Sequence, residues 1–505
     1  MNIEKQCRAY SIPNTINLPL IEQPIEAELL IPEYCPDIKK ILKCSVNNRI
    51  INKSVVNQIL ELECCSEITV LFCGEDNQLS SLITKYNFTK SIENKLFVNN
   101  HIMVEITNNN FNCRPTSYRR VDIKGSVNIN VSVNSFDVKD VVCDIQRSDI
   151  ELLRATNETN SCIFTKEKNI IIEDELLISS SKPDINYILR QDALPIINEC
   201  KLIGEKAVVK GSVKIDVLYC SADNLPVAFR EIIPFSQIIE LDLKNQSCDL
   251  SCDIVLSSLD IKPMLSATAN NGFVVSVGLN IILSGNCNVS VDYIKDCFST
   301  KVQTEVTKDK ISFDKLIEKV NEKFVFKKVI TFKESQISSV VDLWCNEEKI
   351  NATLTSDTLT FTGEIACSVI YCDLENLVEY GNVGVEFEFN KKIGLLDNLA
   401  LKNSRFTVLS WSYTLISDNQ IEIQAEISLL ADIYQHDEFA CVSEVIDLEK
   451  NIENNESIII YYSSDEEEVW EIAKRFATPI QILKDQNDIT EDIISSQSVL
   501  VISRA

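Results

Sequence analysis

Gly211-Ser212-Val213-Lys214-Ile215-Asp216-Val217-Leu218-Tyr219-Cys220 alternates strictly through its centre. Val213, Ile215, Val217 and Tyr219 fall on one face, and Lys214 and Asp216 on the other, which is the period of a half-buried strand. The end of this run is repeated. Val70-Leu71-Phe72-Cys73 stands 147 residues upstream (217 − 70 = 147), and Tyr371-Cys372 stands 152 downstream (372 − 220 = 152). In the first register Asp76-Asn77 matches Asp223-Asn224 and Phe88 matches Phe235. In the second, Gly211, Asn224 and Phe235 map to Gly363, Asn376 and Phe387.

Upstream of each strand lies a second shared motif. Glu28-Leu29-Leu30-Ile31, Pro36-Asp37-Ile38 and Ile41-Leu42 recur as Glu175-Leu176-Leu177-Ile178, Pro183-Asp184-Ile185 and Ile188-Leu189. The third copy is degenerate, reading Ser335-Gln336-Ile337 with Val340 and Val341 at the apolar positions. Pro at a first helical turn, Asp against the dipole, and Ile38, Ile41 and Leu42 at helical spacing predict a short helix capping each β-rich unit. The Asp is read as scaffold, because the third copy replaces it with Gln336. Alternation also marks strands at Val127–Val133, Val275–Ile281 and Ile421–Leu429, and polar Asn/Asp stretches such as Ser221–Asn224 read as hairpin turns. The expected architecture is mainly β: three tandem sandwich-like units at residues 17–150, 151–300 and 301–450, set in a row to give length. A polar linker, Asn451 to Ser457, and a small unit at 457–505 follow.

Composition limits function. With 48 Lys and Arg against 75 Asp and Glu, the net charge of −27 opposes phosphate backbones and anionic membranes, so neither nucleic acid nor membrane insertion is expected. Two histidines, His101 and His436, cannot build a His-rich metal site, and 11 glycines leave no phosphate-cradling loop. His436, beside Asp437 and Glu438, reads as a loop residue. No catalytic constellation, metal or cofactor is expected, and the chain is read as a non-enzyme. The first twenty residues lack a signal-like apolar region, and no run approaches a membrane span, so the chain is expected to stay in the compartment that makes it. The 19 cysteines include no C-x-x-C; they read as reduced, mostly buried thiols. Cys73, Cys220 and Cys372, at one place in each unit, are the candidates for later cross-linking between chains.

The last fifty residues follow a different pattern. Ile458–Tyr462 reads as a strand, and a helix follows Ser464-Asp465, burying Val469, Ile472, Ala473 and Phe476, with Lys474-Arg475 at its carboxyl pole. Thr478-Pro479-Ile480-Gln481 reads as the cap of a second helix, and Ser498–Ile502 as the closing strand. Tyr461-Tyr462, Val469–Phe476, Gln486–Ile489 and Gln497–Ile502 make this βααβ unit resemble a LysM domain. That family holds N-acetylated glycans in a groove between a Gly-Asp-Thr turn and the loop before the last strand. The resemblance implies a binding groove at Asp465, Glu466, Glu467, Glu468, Trp470, Asn487, Asp488 and Ile489. Glu466-Glu467-Glu468 replaces the glycine turn and Ser496 the second glycine. The altered chemistry favours a protein partner over a glycan.

The three repeats resemble the SPOCS (spore coat and sporulation) domain, through Pro36-Asp37-Ile38 with Ile41-Leu42 and through Gly211 to Cys220. Cys64 stands at the glycine position of the first copy. SPOCS-like units with a terminal LysM-like domain are similar to clostridial spore morphogenetic proteins. The resemblance implies a coat scaffold in the mother-cell cytoplasm, then at the forespore surface, docked through its C-terminus on spore coat assembly proteins and the coat-basement morphogenetic ATPase. The alternative is a cell-wall protein that binds peptidoglycan.

Overall fold

The computed structural model describes residues 4–33, 35–241, 248–264, 271–332, 336–355, 357–394, 396–451 and 458–503; Ser335 and most of the expected linker lie outside them. The chain is 80% strand and 4% helix. The first unit contains β1 (Lys5–Asn17), β2 (Ile21–Leu30), β3 (Ile38–Val56), β4 (Ile59–Gly74), β5 (Leu79–Glu93), β6 (His101–Ser117) and β7 (Arg120–Ile145). The second has β8 (Ile150–Leu177), β9 (Ile185–Ile203), β10 (Lys206–Ser221), β11 (Pro226–Glu240), β12 (Asp249–Pro263) and β13 (Gly272–Ser299). The third has β14 (Val302–Thr331), β15 (Ile337–Leu354), β16 (Thr358–Asp373), β17 (Val378–Lys392), β18 (Leu399–Ser417) and β19 (Gln420–Asn451).

Each unit is a two-sheet sandwich with one topology. A three-strand meander, β3-β4-β5, β9-β10-β11 or β15-β16-β17, packs on an antiparallel sheet built from the unit's first strand and its last hairpin. That second sheet is β8 with β12-β13, β14 with β18-β19, and, in the first unit, the broken strand β1 and β2 with β6-β7. The first unit therefore opens at Lys5 rather than at residue 17, since β1 pairs with β7 along its whole length.

The repeated strand explains why the units do not stand in a row. In β10 the burial pattern alternates at first and then becomes continuous. Val217 and Tyr219 enter their own sandwich core, while Leu218 and Cys220 point the other way into a cluster shared by all three units. Val70 and Phe72 divide from Leu71 and Cys73 in the same manner, as do Val369 and Tyr371 from Ile370 and Cys372. Leu71, Leu218 and Ile370 thus meet at one centre, each 0–1% exposed. A second shared cluster joins the ends of the last strands: Val142 and Ile145, Ile294 and Cys297, Val442 and Val445. Burying both faces of a strand removes large apolar side chains from water twice over, at roughly 1.5–3 kcal/mol each. The expected linear array is replaced by three units closed around a common centre.

The same centre corrects two further expectations. The Pro-Asp-Ile segment is no helix: it enters β3 and β9 directly, and Ile38 N–H donates to Tyr118 O at 2.8 Å. The helix-like spacing of Ile38, Ile41 and Leu42 arises because β3 carries bulges at Ile38/Lys40 and Ile41/Lys43, which break the period of two. Ile41 then faces its own core and Leu42 the shared one. Asp37 and Asp184 act as connectors, their carbonyls accepting from Glu75 N and Ala222 N at 3.0 Å. The cysteines Cys73 and Cys220 are buried at the centre, where burial pushes both thiols up, and Cys372 packs beside them. Cys73 and Cys220, sealed between units, are not placed to reach another chain, whereas Cys372 is half-buried.

Other repeated residues have local roles. Asn77, Asn224 and Asn376 hold left-handed backbone at φ 61°, 59° and 61° in equivalent hairpin turns. Gly211 and Gly363 are cross-strand partners of Phe235 and Phe387, whose rings lie over the space a Cβ would fill, at 2.4 and 2.5 Å. His436 lies inside β19, not in a loop, with Nδ1 2.9 Å from Asp314.

Polar residues set the order of the units. Lys43, Arg190 and Asp342 occupy one repeat position (190 − 43 = 147; 342 − 190 = 152). Each reaches across a boundary: Lys43 Nζ donates to Ser368 Oγ at 2.6 Å, and Arg190 lies 3.0 Å from Asp342 and 2.9 Å from Asp216. Arg230 joins Asp342 at 2.6 Å, and Gln191 donates to Glu67, which is paired with Arg49 at 3.3 Å. Buried ion pairs add little net stability, but breaking one is severe, so this divergence fixes which unit sits beside which.

Candidate partner-binding surface

After the third unit come β20 (Ile458–Tyr462), β21 (Glu467–Glu468), α1 (Val469–Phe476), α2 (Ile480–Gln486), β22 (Ile493–Ile494) and β23 (Val499–Ser503). The expected βααβ order holds, with a two-residue ladder, β21-β22, added. The caps differ from expectation. Glu467 and Glu468 are drawn into that ladder, so α1 starts after Glu468 with no side-chain cap, and Asp465 instead accepts from Gln497 N at 2.8 Å. The second helix starts after Pro479, and the Thr478 hydroxyl donates to Phe476 O.

The module is seated on the second unit through α1. Trp470 is 5% exposed, edge-on to Phe298 with centroids 5.1 Å apart. Its indole N–H donates to Asp296 Oδ2 at 3.0 Å, and Lys474 donates to the same oxygen at 2.5 Å. Lys308 of the third unit holds Oδ1 at 3.1 Å. Burial by itself pushes the Asp296 carboxyl up; the hydrogen bonds from Lys474, Trp470 and Lys308 outweigh it and hold the group below the usual carboxylate range. Lys474 thus serves an interface more than the helix dipole.

The eight candidate residues separate into three groups. Asp465, Glu466, Glu468 and Asp488 are exposed and form an acidic rim. Glu466 and Asp488 both adopt left-handed backbone, φ 59° and 53°, so the turn is made without glycine. Glu467 is half-buried and works internally, accepting from Tyr461 Oη at 2.8 Å and from Ser464 N at 3.0 Å. Trp470, Asn487 and Ile489 are structural. Asn487 caps the free edge of β23, donating to Val501 O at 2.8 Å and accepting from Val501 N at 2.6 Å, and Ile489 packs on the module core. The indole expected in a groove is inside an intramolecular interface.

A larger feature lies on the sheet. In β20 and β23, Ile459, Tyr461, Leu500 and Ile502 pack inward, while Ile458, Ile460, Tyr462, Val499 and Val501 face out. Tyr462 opposes Val499 and Ile460 opposes Val501, so these side chains form one patch, from 43% exposed at Val501 to 73% at Tyr462. An exposed apolar patch on a module that also carries exposed carboxylates has the composition of a protein interface. Its signal was present in Ile458–Tyr462 and Val499–Ile502, runs apolar on both faces of a strand that has only one core to meet.

These features define a class of protein: three fused β-sandwiches about one centre, with a small α/β module presenting an apolar sheet. The family model of the SipL, SPOCS domain matches residues 184–264, from Asp184 of the repeated motif through β12. The match covers part of the second unit alone; it supports a SPOCS domain there and suggests a sporulation-related role. No curated protein and no solved structure matches the chain.

Proposed function

We propose that the protein is a non-enzymatic scaffold of endospore coat assembly, held by its C-terminal, LysM-like module to a coat-assembly partner, the coat-basement morphogenetic ATPase. It would act from the mother-cell cytoplasm and then at the forespore surface. The observation that carries this reading is the outward patch of Ile458, Ile460, Tyr462, Val499 and Val501, on a module whose other face is fixed to the second unit. Fixing the module removes orientational freedom that binding would otherwise have to remove. The acidic rim selects a partner with Lys or Arg around an apolar centre. Trp470, the aromatic side chain that a glycan would stack on, is enclosed, which weighs against the glycan reading.

Binding of the full chain to the purified ATPase tests the proposal, with purified cortex peptidoglycan as the competing surface. Ile460→Lys with Val501→Glu, exposed cross-strand partners whose opposite charges attract, should leave the thermal midpoint intact and weaken ATPase binding at least tenfold. Undiminished binding by that variant would refute it. Retention on peptidoglycan, lost on substitution of the Glu466–Glu468 turn, would replace it with the glycan reading.

A further inference from the structure

Among the described residues, each sandwich holds a pair of cysteines whose thiols face one another in its core, and in the second Cys248 also meets Cys287. In the third unit Cys345 and Cys367 are cross-strand partners on β15 and β16, with Sγ atoms 3.6 Å apart inside the core. In the second, Cys200 on β9 and Cys252 on β12 meet between the two sheets, and in the first, Cys44 on β3 and Cys113 on β6 do the same. The pairs do not share a repeat position, so this is not a relic of one ancestral unit. Cys200 also borders an open cleft with Lys201, Lys319, Cys248 and Asp249.

We propose that these pairs are oxidation sites, each closing to a disulfide that staples its sandwich, with a peroxide as the two-electron oxidant. One thiolate attacks the peroxide O–O bond, giving a sulfenic acid and releasing water once the leaving oxygen is protonated. The facing thiol then loses its proton and attacks that sulfur, forming the S–S bond and expelling a second water. Two thiols and one hydrogen peroxide thus become one disulfide and two waters. Either sulfur of a pair can donate the hydrogen bond the two share, so a thiolate formed on one is held by the proton of the other against the upward push of burial. Lys319 adds to the effect at Cys200. Exposure orders the reactions: the Cys200–Cys252 pair closes first, and the Cys345–Cys367 pair, 4% and 2% exposed, last.

The test uses the reduced full chain treated with hydrogen peroxide, alkylated, digested without reductant and mapped by mass spectrometry. The expected products are the three internal cross-links in that order, with the chain still monomeric. The thermal midpoint should rise by roughly 5–10 °C, the size expected of a staple closing a loop of this length. Cys252→Ser should lose the first cross-link and its share of the rise, and Cys252→Ala should match it. Sulfinic or sulfonic products at these positions, or only cross-links between chains, would overturn the proposal.

Discussion

Replacing Asp296 with alanine should release the C-terminal module from the second unit. The carboxylate is 4% exposed and accepts from Trp470, Lys474 and Lys308. The three donors do not suffer equally. Lys474 and Lys308 are each 37% exposed, so their ammonium groups can turn to water, and their loss is about 0.5 kcal/mol apiece. The Trp470 indole cannot turn out, and an unpaired buried N–H costs about 1–3 kcal/mol. The sum, about 3 kcal/mol, shifts the docking equilibrium roughly a hundredfold. Hydrogen exchange of the full chain should then accelerate at Val469–Phe476 and at the end of β13, with the other two units unchanged. Asp296→Asn keeps an acceptor for the indole and should lose about 1 kcal/mol. Because the Asp296 carboxyl is held low, wild-type docking should persist above the ordinary Asp range and fail as pH falls through the lower folded value. Unchanged protection in Asp296→Ala would refute the reasoning, showing that the module holds its place without this contact.

Glu167 joins the first two units, accepting from His101 and Lys53 at 2.6 Å and from Asn280 at 3.0 Å. Burial pushes this carboxyl up, but those bonds bring it from about 4.5 to about 2. Its stabilisation, up to about 3 kcal/mol, is present above pH ~4.5 and lost as pH falls toward ~2. Urea midpoints of wild type and Glu167→Gln should therefore differ at pH 7 and converge near pH 2. Gly211→Ala places a Cβ 2.5 Å from Ile196 O as well as against Phe235, and should lower stability by about 2–3 kcal/mol in the same assay. Asp342→Ala leaves Arg190, 6% exposed, with Asp216 as its one remaining ion-pair partner among the described residues, and should lower it by about 3 kcal/mol. An unchanged midpoint in either variant would contradict the role assigned to that residue.

Repetition and the period of two made the three sandwiches legible, because Val213, Ile215, Val217 and Tyr219 have one core to face. The turns were legible too, since Asn224 and its counterparts satisfy a local backbone demand. The packing of the units on one another was hidden in Leu218 and Cys220, which local alternation cannot distinguish from ordinary core. The supposed helix failed for a related reason: two bulges in β3 imitate helical spacing by shifting an apolar residue from one buried face to the other. At the C-terminus, element order followed from pattern, but the role of Trp470 depended on Asp296, 174 residues away. No local motif encodes that distance. The outward patch was readable in principle, as surplus hydrophobicity in two short strands.

Small-angle scattering of the full chain in reducing buffer tests most directly whether the three sandwiches close on one another. A single body of 505 residues should show a radius of gyration of about 23–25 Å. Three sandwiches strung end to end would give about 34 Å or more, and that result would contradict the shared centre at Leu71, Leu218 and Ile370.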